Sequence, residues 1–225
     1  VLLGADLAAN DTVRIGCASA LIATLSSVAA GIVARVATDR WIGVFEYVCT
    51  ARPVDAGYWL GAAAVPALLA SVTGLSNVGI VWLLSLTAPS TGAASGLLLG
   101  ALLLMPVAVL GGVCLGIFAA GLGLYLSDPY TGSNFLSIIL PVSAGVIVPV
   151  STYPGWLAWL CSWVPGSRLV QALDTSGSIA SSTAPNLFAL LATDAALAVL
   201  YVAVGLGLTL LAARRIHAGA RASLL

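Results

Sequence analysis

Long apolar runs separated by short polar stretches set the pattern of this chain. The runs cover residues 13–34, 57–86, 96–126, 129–150 and 186–213. Each holds the roughly 20 mostly apolar residues that a helix needs to cross a bilayer. The pattern predicts five spanning helices and an all-α fold, a polytopic integral membrane helical bundle. Asn10, Asp11 and Thr12 precede the first run as candidate helix caps. Ser127, Asp128 and Pro129 offer a capping side chain followed by proline at the first helical position. Pro141 falls inside the fourth run, where it removes a backbone hydrogen bond and predicts a bent helix. Residues 88–95 (APSTGAAS) read as a turn and residues 176–185 as a small, polar surface loop.

Two stretches mix polar and apolar positions. In the first, residues 35–53, Trp41, Val44, Phe45 and Val48 form an apolar stripe at i, i+3, i+4 and i+7. Arg40, Gly43, Glu46 and Tyr47 occupy the remaining positions. That spacing predicts a short amphipathic helix lying on the membrane surface. Spacing alone leaves a plain interfacial connector and a partner-contacting helix equally open. In the second stretch, Trp156, Trp159 and Trp163 share one helical face between prolines. Such a stripe fits a short interfacial helix or a re-entrant hairpin.

Composition sharpens the class. The chain is 60% hydrophobic and 7% charged, with a mean hydropathy of +1.11. Soluble domains carry about 25% charged residues, so this chain has too few charges to cover a water-facing surface. All 8 basic residues are arginine. A P-loop needs a lysine to reach the β/γ-phosphates, so no such nucleotide site is expected. Zero net charge and no basic tract give nucleic-acid binding no support. Cys17, Cys49, Cys114 and Cys161 are scattered and His217 is the only histidine, so no metal site is expected. No nucleophile–base or paired-carboxylate arrangement appears, and the chain does not read as an enzyme.

Arginine placement orients the spans. Arg35, Arg40 and Arg52 lie in one loop and Arg214, Arg215 and Arg221 in the tail. Five crossings put loop and tail on one side, and the positive-inside rule makes that side cytoplasmic. The tryptophan hairpin is then external. No cleavable signal is visible, and residues are expected before Val1, up to a whole span.

Ionisable groups inside a membrane are costly and are usually paired or functional. Arg14 and Asp194 both fall near the outward ends of their runs, so they are expected to pair or to snorkel separately. Asn77, with Thr73 and Ser76, is a polar spot in an apolar run, suited to interhelical hydrogen bonding or to a substrate pathway. Gly57/Gly61, Gly92/Gly96, Gly96/Gly100 and Gly112/Gly116 have the GxxxG spacing of close helix packing. Arg168, Gln171 and Asp174 read as a solvated face, with a gate at the external exit as the alternative.

The motif Arg40-x-x-Gly43-x-x-Glu46, with Pro53 just before a new span, resembles the loop after the second span of ABC-2 type exporter permeases. The segment SAGVIVPVSTYPGWLAWLCSWVPGSRLVQAL is similar to that family's penultimate span and re-entrant element. The resemblance covers nearly the whole chain and leaves the family's first span before residue 1. It implies a permease that pairs with a second, identical or related permease. Two ABC ATP-binding subunits would dock on its cytoplasmic side and bind ATP and Mg there, leaving this chain without a cofactor. Residues 40–53 would form the coupling helix. Arg40 and Glu46 would be its polar contacts to the ATPase and Trp41 and Phe45 its packed ones, with Gly43, Arg52 and Pro53 in the same contact. The substrate would be a hydrophobic or amphipathic compound, such as a drug, antibiotic or lipid, exported across a bacterial cytoplasmic membrane. An ion-coupled secondary transporter and a non-transporting scaffold are the alternatives.

Overall fold

A computed structural model of the chain describes residues 2–51, 56–87, 92–126, 128, 130–146, 150–177 and 187–222. Among them the regular secondary structure is all helix, joined by short turns, with no strand. The helices are α1 (Leu2–Trp41), α2 (Val44–Ala51), α3 (Ala56–Thr87), α4 (Gly92–Gly123), α5 (Thr131–Ser143), α6 (Gly155–Ser162), α7 (Ser167–Gly177) and α8 (Leu187–Ala222), with a 3-10 turn at Val150–Thr152 before α6. Four of them contain stretches long and apolar enough to cross a membrane: Asp11–Trp41, Gly57–Leu86, Ala94–Gly123 and Leu187–Ile216. Each runs about 45 Å at 1.5 Å per residue, more than the roughly 30 Å hydrocarbon core. The chain is an all-α polytopic membrane bundle.

Helix α1 is the hub. Cys17, Ala18, Leu21, Leu25, Ala29 and Ile32 are completely enclosed. Small residues let α4 lie against them. A Cβ on Gly112 would stand 2.6 Å from the Leu25 carbonyl oxygen, and one on Gly116 2.8 Å from Ile32 Cδ1. This GxxxG pair therefore packs within the chain, whereas Gly61 faces open space. Helix α8 crosses α4 just as closely: a Cβ on Gly205 would stand 2.7 Å from Phe118 Cα. Helices α3 and α8 sit at the periphery and turn most of their apolar length outward.

The expected boundaries need four corrections. Helix α1 begins at Leu2 and runs through Asp11 and Thr12, so these residues cap nothing. It also continues through Arg35, Asp39 and Arg40, which therefore extend a span instead of sitting in a loop. Residues 92–95 of the expected turn open α4. The largest correction concerns residues 129–150. Here α5 is only 13 residues long, about 20 Å, and is too short to span. Pro141 sits inside α5 without ending it. The helix stops at Ala144 and Gly145, where Gly145 takes φ +68°. Ser127, Pro129 and Pro149 lie outside the described residues, as do Arg52, Pro53, 88–91 and 178–186.

Contacts nevertheless place the two sides of this stretch towards opposite ends of the bundle. Trp41 meets Tyr130 edge-on at 6.1 Å, and Arg215 lies over the Tyr125 ring. The C-terminal ends of α1, α4 and α8 thus share one end of the bundle with the start of α5. At the opposite end, α7 packs against the start of α1 through Arg14 and Asp174. Between Tyr130 and Asp174 the chain passes from one end towards the other by a broken path of short helices, with the turn at Gly166 packed on Leu25, midway along α1. Arg35 and Arg40 on α1 and Arg214 and Arg215 on α8 consequently lie towards one end of the bundle.

Candidate functional site

The arginine-rich end carries the candidate site, an elbow between α1 and α2. Gly43 makes it. Its amide donates to the Arg40 carbonyl and the Ile42 amide to the Thr38 carbonyl, closing α1. Gly43 then takes φ +76°, the left-handed conformation in which glycine ends helices. The Tyr47 amide donates to the Gly43 carbonyl and starts α2. The expected amphipathic helix over residues 40–53 is therefore two pieces, with Arg40 and Trp41 on α1 and Phe45 and Glu46 on α2.

This break sends the expected contact residues in different directions. Phe45 points inward and is 1% exposed. It packs edge-on to Tyr58 at 6.0 Å and beside Ala213 and Ile216. Arg40 turns back to the bundle: its Nη1 donates to the carbonyls of Gly123 and Leu126, both at 3.0 Å. A cation at the C-terminal end of α4 satisfies carbonyls that the helix leaves unpaired and complements the helix dipole. Phe45 and Arg40 both line a surface cleft with Glu46, Tyr125 and Arg215. The outward tip consists of Trp41 and Tyr47, each 73% exposed, Ile42 at 66%, and Glu46 beside them. Sequence reasoning missed Ile42 because it lies outside the helical stripe. An unsatisfied bulky apolar residue next to the turn glycine was the available signal.

The elbow is braced on three sides. Arg40 ties it to α4, Phe45 ties it to α3 and α8, and Asp39 ties α1 to α3. Asp39 is 3% exposed. It accepts a hydrogen bond from the Tyr58 hydroxyl at 3.1 Å and pairs with Arg35 Nε at 3.4 Å. This carboxylate lies on a cleft of about 680 Å³ between α1 and α3. The cleft narrows at Gly31 and Pro66, where a Cβ on Gly31 would stand 2.7 Å from the proline ring. It joins an ion pair to apolar walls at Ala62 and Val65.

The expected Arg14–Asp194 pair does not form. Arg14 instead makes a two-pronged pair with Asp174, at 2.6 Å from Nε and 2.8 Å from Nη2. Asp194, 5% exposed, accepts the Gly166 amide at 3.0 and 3.2 Å at the start of α7. A carboxylate there also meets the positive end of the helix. Both acids lie towards the same end of the bundle, and the hairpin decides which one Arg14 reaches. Asn77 is exposed on α3 with Thr73 and Ser76, whose hydroxyls donate to their own helix. It lines none of the clefts described here. Trp156, Trp159 and Trp163 are all exposed on α6 and the turn after it, and Trp159 and Trp163 meet edge-on at 6.0 Å. Among the described residues, no three His, Cys, Asp or Glu side chains gather as a metal site.

Compared with known protein families, curated proteins and solved structures, the chain matches none. The fold and its apolar helices define an integral membrane protein.

Proposed function

We propose that this chain is the permease subunit of an ATP-driven ABC-2 type exporter, carrying a hydrophobic or amphipathic compound across a bacterial cytoplasmic membrane. The observation that carries this reading is the braced elbow. Trp41, Ile42, Glu46 and Tyr47 form a projecting, mainly aromatic tip on the arginine-rich end. Aromatic anchors with a polar neighbour are what a docking groove on a soluble partner recognises. Arg40 and Phe45 act behind the tip, passing a push on it to α4, α3 and α8. A bound ATPase that closes on ATP would thereby shift the spans between two arrangements. The cleft beside Asp39 gives an amphipathic substrate an inner-leaflet opening between α1 and α3. The test is reconstitution with the co-purified partner in vesicles, followed by extrusion of a lipophilic dye. ATP-dependent, vanadate-sensitive extrusion supports the reading, and extrusion driven by an ion gradient without ATP contradicts it.

One observation favours a second reading, the ion-coupled secondary transporter. Such proteins bind coupling ions where helices are broken inside the membrane. Here the broken crossing meets α8 at buried Asp194. A gradient-driven, ATP-independent flux lost in Asp194→Asn would select it.

A further inference from the structure

Far from the elbow, the tryptophan hairpin and α8 enclose a second cleft. It holds about 450 Å³ and is open to the surface beside α8, a peripheral helix that buries little of its apolar length. Its walls are Trp159, Trp163, Thr193, Leu197 and Leu200, and among the described residues Arg168 is its one charged lining group. The lining residues of α8 span about 10 Å of its axis, from Thr193 to Leu200.

Arg168 is the unusual member. Its Nη1 is enclosed and donates to nothing. Asp194, the acid whose charge acts on Arg168, spends its oxygens on the Gly166 amide and lies beyond ion-pair distance, so it gives Nη1 no hydrogen-bond acceptor. A buried donor on a charged group is expensive to leave unmade. The neighbouring Ser167 hydroxyl is also buried and unpartnered. Arg168 thus leaves donor capacity at a mainly apolar cleft, with Ser167 next to it in the chain.

We infer that this cleft binds the anionic phosphate headgroup of a membrane lipid, with Arg168 as anchor and Trp159 and Trp163 as flanking walls. Guanidinium groups match phosphate with paired, charge-assisted hydrogen bonds. Indole rings favour the depth where headgroup meets acyl chain. The apolar α8 side, Leu197 and Leu200, suits an acyl chain and not a hydrated free ion. The site is independent of the export reading, since it needs neither the elbow nor an ATPase.

Brominated lipids test it. The purified full chain is placed in bilayers of phosphatidylcholine, with brominated phosphatidylglycerol or brominated phosphatidylcholine titrated in, and tryptophan quenching is read. Wild type should prefer the brominated anionic lipid by about tenfold, the factor that about 1.4 kcal/mol supplies. Arg168→Gln should lose that preference while quenching by brominated phosphatidylcholine persists. Ala196→Leu, which fills the cleft from an exposed α8 position and leaves Arg168 intact, should lose it too and covers the case in which Arg168→Gln fails to fold. Arg214→Gln, at the opposite end, should keep it. No preference in wild type overturns the site, as does an equal preference in Arg168→Gln or Ala196→Leu. Displacement of the anionic lipid by excess inorganic phosphate overturns the lipid assignment in favour of a soluble anion.

Discussion

Arg14 and Asp174, 160 positions apart in sequence, close a two-pronged ion pair between the start of α1 and the hairpin helix α7. The pair fastens the broken crossing to the hub of the bundle at the end opposite the elbow. Both partners are partly exposed, at 22% and 40% for the side chains, so solvent weakens the attraction.

A double-mutant cycle measures that fastening. Arg14→Gln and Asp174→Asn should each cost about 1 kcal/mol or less in mild detergent, the range for exposed pairs. The double variant should lose no more than either single one. By contrast, Arg14→Gln combined with Asp194→Asn should be additive, because those groups do not touch. Thermal unfolding reads both cycles.

The turn into α7 depends on Gly166 and Asp194. Gly166 takes φ +90°, and an added Cβ would meet Leu25. Gly166→Ala should therefore cost about 1–3 kcal/mol from backbone strain alone. Asp194→Leu should cost about 1–3 kcal/mol by leaving a buried amide without its acceptor. Asp194→Asn keeps an acceptor oxygen and should fall well short of that. Unfolding midpoints of the three variants check the order.

The α4–α8 crossing makes a sharper comparison. Gly205→Ala places a methyl 2.7 Å from Phe118 Cα, backbone that cannot swing aside. It should destabilise by about 1–3 kcal/mol. Gly207, two residues on, has nothing within 4 Å of an added Cβ, so Gly207→Ala should be neutral or slightly stabilising through better helix propensity.

The elbow separates binding from transmission. Arg40→Met keeps the side-chain stem and loses both carbonyl contacts to the end of α4. Under the proposed function the variant should still hold its ATPase partner, while transport per ATP hydrolysed falls at least about tenfold, since two charged hydrogen bonds are lost and about 1.4 kcal/mol already supplies that factor. Paired ATPase and transport assays read the ratio.

Uniform hydropathy made much of this architecture readable from sequence. The span expected at 57–86 coincides with Gly57–Leu86, because both its ends are abrupt changes in polarity. The failures arose where composition stays apolar but the backbone turns. Residues 129–150 read as one run since Pro141 looked like the break, whereas Gly145 supplies it with φ +68°. The stripe Trp41, Val44, Phe45 and Val48 has correct helical spacing. Spacing, however, cannot show that Gly43 divides it, leaving Trp41 exposed and Phe45 buried. Arg14 was recognisable as needing a partner. Two acids lay on its side of the bundle, and only the packing of α7 on α1 selects Asp174. Arg168 carried no signal beyond a polar helix face, since its importance comes from the cleft that the tertiary fold builds around it.

The elbow's role as a docking site is the central claim, and co-purification tests it most directly. The tagged full chain is extracted from native membranes in mild detergent, and the proteins retained with it are identified and assayed for vanadate-sensitive ATP hydrolysis. Wild type should retain a P-loop ATPase. Trp41→Ala combined with Glu46→Arg should lose it while the chain stays folded, because both side chains project from the bundle. A folded wild-type chain that comes alone and hydrolyses nothing, or a variant that retains the ATPase undiminished, would contradict the account.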